Sequence, residues 1–361
     1  MSRAYNFSAG PAALPESVLV QVREELLEWN AERASVMEVS HRGQAFIDAA
    51  AECERDLRDL LAVPDDYHVL FLQGGATMLS ALLPLNLAGP QASADYVLTG
   101  HWSEKALENA SPSLHTRVVA TGKEGGYRSI PPVSSWQFDP NAAFLHYTPN
   151  ETIHGVEFRF VPEVGKVPLV ADFSSSFLSE PIDVSRFGVI YGGAQKNLGP
   201  AGLAIAIVRK DLLGRHGRNL PPIFDLANQA NNDSMFNTPP TLSWYIVGLV
   251  LKWLKEMGGA EAIGVRNGRK SELLYAAIDG SGGFYRNDID PAARSRMNVP
   301  FVLTDAALDK PFLKEAQEAG LLGLKGHRAL GGMRASIYNA MPLNGVQALV
   351  DFMSDFQDRH G

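Results

Sequence analysis

Apolar positions recur along the chain in two rhythms, one of helices and one of buried strands. Val18, Val22, Leu26 and Trp29 fall on one helical face, and Pro15 stands at the first turn, which predicts an amphipathic helix over Pro15–Asn30. A second helix is predicted over Ala45–Leu61. The strand Val69–Leu72 follows, is broken by Gly74-Gly75, and leads into a helical pattern from Thr77 to Leu83. Further strands are predicted at Tyr96–Thr99, Ala143–Tyr147, Val167–Ala171, Val189–Tyr191 and Leu203–Val208. Several are unbroken apolar runs, as expected for strands covered on both faces of a mainly parallel sheet.

This alternation implies a layered α/β domain, with a large, mainly parallel sheet, of about 240 residues. After the apolar helix Leu242–Leu254 the pattern changes near Met257-Gly258-Gly259. A long helix over Ala260–Ile278, strands at Val299–Leu303 and Met333–Tyr338, and a last helix over Leu343–Phe356 predict a smaller α+β C-terminal domain. The expected boundaries are 16–257 for the large domain and 258–361, joined by the N-terminal segment 1–15, for the small one. There is no internal repeat and no low-complexity tract.

The 361 residues are 45% hydrophobic, enough for a sizeable core. The 32 basic against 40 acidic residues give a net charge of -8, which makes nucleic acid and anionic membrane poor partners. No apolar stretch approaches 18 residues and the first fifteen lack a signal-peptide core, so a cytoplasmic protein is expected. A lone cysteine, Cys53, excludes an intrachain disulfide and a cysteine-held metal, and the scattered histidines predict no metal site.

Two charges stand out by their isolation. Lys196 is the only charged residue between Arg186 and Arg209, in a glycine-rich apolar stretch. A lysine is ordinarily a surface residue. Partial burial would lower its amine pKa, as a Schiff-base or general-base lysine requires. Asp172 ends the strand pattern Pro168–Ala171 and is the only charge between Lys166 and Glu180. Alone it reads equally as a cap or turn residue. In an open parallel sheet, however, ligands bind outside the carboxyl ends of strands, where both residues fall. An acid and an amine meeting there suit a pyridinium cofactor: the acid keeps the ring nitrogen protonated and the amine forms the imine.

Other candidates are weaker singly. Gly74-Gly75-Ala76-Thr77 joins a strand to a helix and offers backbone N–H groups to a phosphate, although a plain tight turn has the same composition. Neither a P-loop nor a dinucleotide fingerprint occurs, which counts against a nucleotide-binding α/β enzyme. His101-Trp102 brings an aromatic plane to the same sheet edge, for core packing or for stacking on a flat ring. Arg42 in Ser40-His41-Arg42-Gly43, and Lys325-Gly326-His327-Arg328 with Arg334, are candidate anion-binding residues, because guanidinium grips carboxylate and phosphate in a bidentate manner.

Taken in order, Asn6-Phe7-Ser8-Ala9-Gly10-Pro11, Ser40-His41-Arg42-Gly43, Asn150-Glu151-Thr152, Ala171-Asp172-Phe173-Ser174-Ser175, Gly193-Ala194-Gln195-Lys196-Asn197, Asn237-Thr238-Pro239-Pro240 and Gly332-Met333-Arg334-Ala335-Ser336 span the chain. By these motifs it resembles the class V aminotransferases, pyridoxal-phosphate enzymes of fold type I, essentially end to end. The resemblance implies amino transfer between glutamate and a phosphorylated 2-oxo acid in serine biosynthesis, with pyridoxine biosynthesis a further role in some bacteria. It implies that Lys196 binds pyridoxal 5′-phosphate covalently, that Asp172 pairs with the pyridine nitrogen, that Trp102 stacks on the ring and that Thr152 and Gln195 hydrogen-bond around it. It places Ala76, Thr77 and Gln195 at the cofactor phosphate, joined by Asn237 and Thr238 from the other subunit of a homodimer with shared active sites. Arg42 and Arg334 are implied at the substrate carboxylate, and His327 with Arg328 at the substrate phosphate. Some members carry Gly-Arg where this chain has Ala76-Thr77, and some carry serine where it has Ala9; the latter removes a hydroxyl near the substrate.

Two rival readings face specific obstacles. Cysteine desulfuration needs a cysteine on a mobile loop, whereas Cys53 falls inside a predicted helix. A non-catalytic scaffold would have no need for Lys196 and Asp172 in charge-free stretches.

Overall fold

A computed structural model describes residues 3–361, so Met1 and Ser2 of the segment 1–15 lie outside the described residues. The large sheet has strands β1 (Tyr67–Gln73), β2 (Ser93–Leu98), β3 (His115–Thr121), β4 (Leu145–Tyr147), β5 (Leu169–Asp172), β6 (Val189–Gly193) and β7 (Leu203–Arg209). Their spatial order is β1-β7-β6-β5-β4-β2-β3. Only β7 runs against its neighbours, β1 and β6; the other pairings are parallel. Every strand except β7 therefore ends at one edge, and the segments leaving that edge carry Gly74-Gly75, Thr99–Trp102, Thr148–Thr152, Asp172 and Gln195-Lys196.

The apolar runs are explained by two-sided cover. Leu203, Ile205 and Ile207 of β7 pack into a cluster with Phe46, Cys53 and Leu57 of helix Gln44–Leu61 and Trp244, Val247 and Leu251 of helix Thr241–Glu256. Ala204, Ala206 and Val208 point the other way, toward Leu79, Leu82 and Leu83 of helix Ala76–Leu87 and Ala106 and Ala110 of helix His101–Ala110. Each large side chain so buried contributes about 1.5–3 kcal/mol.

A second, antiparallel sheet is built from Tyr285–Arg286, Asn298–Leu303 and Met333–Ser336. Helices Gly259–Asp279, Asp309–Glu318 and Leu343–His360 cover it through Leu274, Ile278, Phe312, Val346, Leu349 and Phe356. Tyr5–Asn6 pairs in parallel with Leu321–Leu322, and Phe7 enters the same cluster, which ties the N-terminal segment to this layer.

The predicted helix over Pro15–Asn30 is shorter, Glu16–Glu25. Leu27 is exposed, and the chain turns so that Trp29, in extended conformation, packs edge-on against Tyr245 at 5.7 Å between ring centroids. Burying the indole outweighs one more helical turn. Strand β3 escapes the pattern because it is an edge strand paired only with β2, with Val118 exposed, so its sequence carries no continuous apolar run.

The two sheets meet across a buried polar seam. Asn150 Nδ2 donates to Ser175 Oγ at 2.8 Å and to Asn298 Oδ1 at 2.9 Å. Asn298 Nδ2 donates in turn to Ser336 Oγ at 2.9 Å and to the Tyr338 hydroxyl at 3.0 Å, and that hydroxyl donates to the Ala9 carbonyl at 2.8 Å. Fully satisfied seams of this kind fix one relative placement of the layers they join.

Candidate active site

Lys196 lies in the turn after β6, where the Leu198 N–H closes onto the Ala194 carbonyl at 3.0 Å. The end of β6 packs so closely on the segment that follows β5 that a Cβ at Gly192 would come within 2.9 Å of the Ser174 backbone. The side chain is buried, and its Nζ donates to Thr152 Oγ1 at 2.5 Å and lies 5.4 Å from the centroid of the Trp102 ring. Burial lowers its pKa to about 8; the Asp172 and Glu151 carboxylates oppose the shift, and Arg334 adds to it.

Asp172 is buried at the carboxyl end of β5. Its Oδ1 accepts from the Ser174 backbone N–H at 2.9 Å and from the Ser174 hydroxyl at 2.5 Å, and among the described residues Oδ2 has no hydrogen-bond partner and is open to a cationic one. Burial raises its pKa, opposed by the Ser174 hydroxyl, by the Lys196 charge and by the Ser174 N–H.

Glu151 is a third ionisable group at this edge. It is fully buried: Oε2 accepts from the Trp102 N–H at 3.0 Å, and Oε1 accepts from the Ser103 N–H at 2.8 Å and the Ser103 hydroxyl at 2.7 Å. These are the unpaired donors of the first turn of helix His101–Ala110, and an acid there is favoured by the helix dipole. Trp102 is thereby anchored through its own backbone. Burial nevertheless raises the Glu151 pKa to about 7, the hydrogen bonds from Ser103 and Trp102 opposing it. Reading the motifs did not single out Glu151, although it is the only Asp, Glu, Lys or Arg between Asp139 and Glu157, a signal close to the one that marked Lys196 and Asp172.

Around this centre the structure gathers Trp102, Thr152, Gln195, His327 and Arg334. The His327 ring lies 5.8 Å from the His101 ring. Arg334, half-buried on the second sheet, has a guanidinium pKa lowered by burial. Gln195 follows β6, and its carbonyl accepts from the Ala12 N–H at 2.9 Å, which draws the N-terminal segment across the site. A Cβ at Gly10 would lie 3.5 Å from Lys196 Cγ. Ala76 and Thr77 open helix Ala76–Leu87 beyond β1. Asn237 and Thr238 lie beside that same turn: the Gln73 amide donates to the Thr238 carbonyl, as does Asn237 Nδ2 at 3.3 Å. Arg328 is exposed next to His327. Arg42 is exposed before helix Gln44–Leu61, and no hydrogen bond or ion pair among the described residues ties its guanidinium to the Lys196 cluster.

The profile of the aminotransferase class-V family matches residues 4–349. The chain belongs to the class-V aminotransferases. As such it is a pyridoxal-phosphate-dependent enzyme. A phosphoserine aminotransferase of Xanthomonas campestris pv. campestris is 58% identical over 361 residues, all of both chains. The solved phosphoserine aminotransferase of Bacillus circulans subsp. alkalophilus superposes with a TM-score of 0.97 at 45% identity, over 99% of each chain. A PLP-bound phosphoserine aminotransferase from Trichomonas vaginalis does so with a TM-score of 0.92 at 39% identity, over 98% of this chain and 100% of that one.

The residues present in this aminotransferase fit the cofactor. Trp102 Nε1 and Arg334 Nε are buried without a partner among the described residues, as donors that await a ligand are. The Ala76 and Thr77 N–H groups, at a helix N-terminus, likewise have no acceptor among the described residues, a ready site for a phosphate. A buried acid with one free oxygen and a buried amine of lowered pKa complete the donor set.

Proposed function

We propose that this chain transfers the amino group of glutamate to 3-phosphohydroxypyruvate, giving O-phosphoserine and 2-oxoglutarate, a step of serine biosynthesis. The observation that carries the reaction class is the buried Lys196 amine, held by Thr152 beneath Trp102 and near Asp172. The phosphorylated substrate is supported by the full-length likeness to phosphoserine aminotransferases and by His327, Arg328 and Arg334, which have no acidic partner among the described residues.

In this reading Lys196 would hold the cofactor, Asp172 its ring N–H, Trp102 a face of its ring, and Thr152 and Gln195 its rim. Ala76, Thr77 and Gln195 would hold the cofactor phosphate, with Asn237 and Thr238 supplied by the partner in a cytoplasmic homodimer. Residues 16–257 form the cofactor-binding domain, and 258–361 with the described residues of 1–15 the small domain. Bound pyridoxal phosphate supplies a sink for the electron pair left when a substrate α-carbon loses its proton. Lys196 Nζ, neutral near its lowered pKa, accepts that proton and returns it in the second half of the cycle. The free Asp172 oxygen would accept the ring N–H and keep its proton in place. Arg334 and Arg42 orient the substrate carboxylate, and His327 and Arg328 its phosphate.

The test is half-reaction kinetics with O-phosphoserine, serine and glutamate, followed by the colour change of the cofactor. O-phosphoserine and glutamate should react rapidly and serine far more slowly; equal rates for serine and O-phosphoserine would overturn the assignment.

A further inference from the structure

The mouth of the site holds more imidazole than the proposed reaction has used. His101 opens helix His101–Ala110, and its ring lies 5.8 Å from the ring of His327 and 5.2 Å from that of Trp102. Its backbone N–H donates to His154 Nδ1 at 3.3 Å, so three histidines from three segments meet there. His101 is thus fixed at its backbone while its ring faces the loop that carries His327 and Arg328.

The charges around the cluster are unbalanced. The groups facing His101 are His154 from the turn after Glu151, His327 from the loop before Met333, and Glu104 of its own helix. Glu104 is already engaged: Lys123 Nζ donates to it at 2.9 Å and the Tyr127 hydroxyl at 2.7 Å. Arg334 and Arg328 are the guanidinium charges that act on His327, and neither is in an ion pair among the described residues. Burial first, then Arg334, His101 and Arg328, lower the His327 pKa, and burial with His101 brings His154 down to about 4. Two arginines and three imidazoles thus converge without a free carboxylate among the described residues. Such a pocket disfavours the charged form of His327 and His154 until an anion arrives to balance it.

We propose that His101 is a specificity-determining residue that grips the substrate phosphate jointly with His327, whose ring takes up a proton from solvent as the dianion binds. The proposal rests on the reading of His327 and Arg328 as the phosphate site. A phosphate monoester, whose second pKa is about 6, is a dianion at neutral pH and stabilises an imidazolium at His327, with His101 as a second hydrogen-bonding ring. An unphosphorylated acid brings no such charge, so His327 stays neutral and selectivity follows.

The experiment is calorimetric titration of the holoenzyme with 3-phosphoglycerate, which carries carboxylate and phosphate but neither an amine nor an oxo group and so binds without reacting. Titrations near neutral pH in two buffers of different ionisation enthalpy count the protons taken up, and glycerate serves as the unphosphorylated control. His101→Asn and His101→Gln should each bind 3-phosphoglycerate about tenfold more weakly, while glycerate binding and the cofactor spectrum stay as in the parent. Parent-like affinity in both variants would overturn the proposal. So would an equal loss for glycerate with an altered spectrum, which would mean that His101 acts only by placing Trp102. His327→Asn separates the two readings: if it alone weakens phosphoglycerate, the phosphate site stands and the role of His101 falls. If neither position matters, the site itself is misplaced.

Discussion

Glu151 holds the backbone of Trp102, accepting its N–H at 3.0 Å from a position with no exposure to solvent. The two residues come from different strand ends, and this bond, with those to Ser103, sets the indole over Lys196. The arrangement has a pH signature. The folded pKa of about 7 lies above the ordinary 4.5, so between these values the folded protein holds the proton more tightly than the unfolded chain does. The contribution of Glu151 to stability is therefore greatest below 4.5, falls as pH rises to 7, and is constant above it. In urea unfolding, the stability of the parent relative to Glu151→Gln should decline by up to about 3 kcal/mol from pH 4.5 to pH 8. A difference that does not change with pH would refute this account.

Gly100 protects the same contact. A Cβ there would stand 2.5 Å from Glu151 Cδ, and a φ of 169° is open to any residue, so steric fit alone excludes a side chain. Gly100→Ala should cost about 1–3 kcal/mol and disturb Trp102, lowering the melting midpoint and perturbing the absorption band of the bound cofactor together. An unchanged band in a destabilised variant would separate Glu151 from the placement of the indole.

Lys196 captures an aldehyde only as a neutral amine. Burial brings its pKa down to about 8, so the rate of cofactor capture by the cofactor-free protein should rise with pH and level off above about 8. The Asp172 charge pulls that value upward, so Asp172→Asn should move the midpoint to lower pH while weakening retention of the cofactor. Lys196→Ala should lower turnover on the order of 10³-fold or more and abolish trapping by borohydride. Stopped-flow absorbance across pH reads the first two effects, and an unshifted midpoint in Asp172→Asn would count against the pairing.

Much of this was legible beforehand, and the reasons differ by residue. Strands β5, β6 and β7 announced themselves as unbroken apolar runs because both faces are covered. Lys196 and Asp172 were legible because a charge alone among apolar residues has a reason to be buried. Glu151 stands apart from other carboxylates, lysines and arginines but among polar neighbours, and what hid its role was distance: its partners, Trp102 and Ser103, belong to a helix with few apolar residues, and no local pattern relates the two segments. His101 was hidden for a similar reason, since its meeting with His327 depends on how the second sheet docks. Lys270 reverses the lesson. It lies among Arg266, Arg269 and Glu272, as a surface lysine would, yet it is buried because Ile263, Asn267, Leu274 and Ile278 share its helix face.

That lysine fastens the second sheet to the site. Its three donors reach the carbonyls of Ile337 at 2.9 Å, Tyr338 at 2.7 Å and Met341 at 3.0 Å, so the ammonium closes the loop that follows Met333–Ser336. Tyr338, held at its carbonyl, reaches Ala9 and Asn298 with its hydroxyl. Lys270→Met keeps the volume but strands the buried carbonyls of Ile337 and Met341, that of Tyr338 keeping the Met341 N–H, at a cost of about 2 kcal/mol or more. Because the loop carries Tyr338 and lies just beyond Arg334, the variant should also bind 3-phosphoglycerate more weakly while keeping its covalent cofactor. Thermal unfolding and calorimetric titration of one holoenzyme preparation check both effects. Lost stability with parent affinity would show the staple to be structural only, with Arg334 positioned by its own strand.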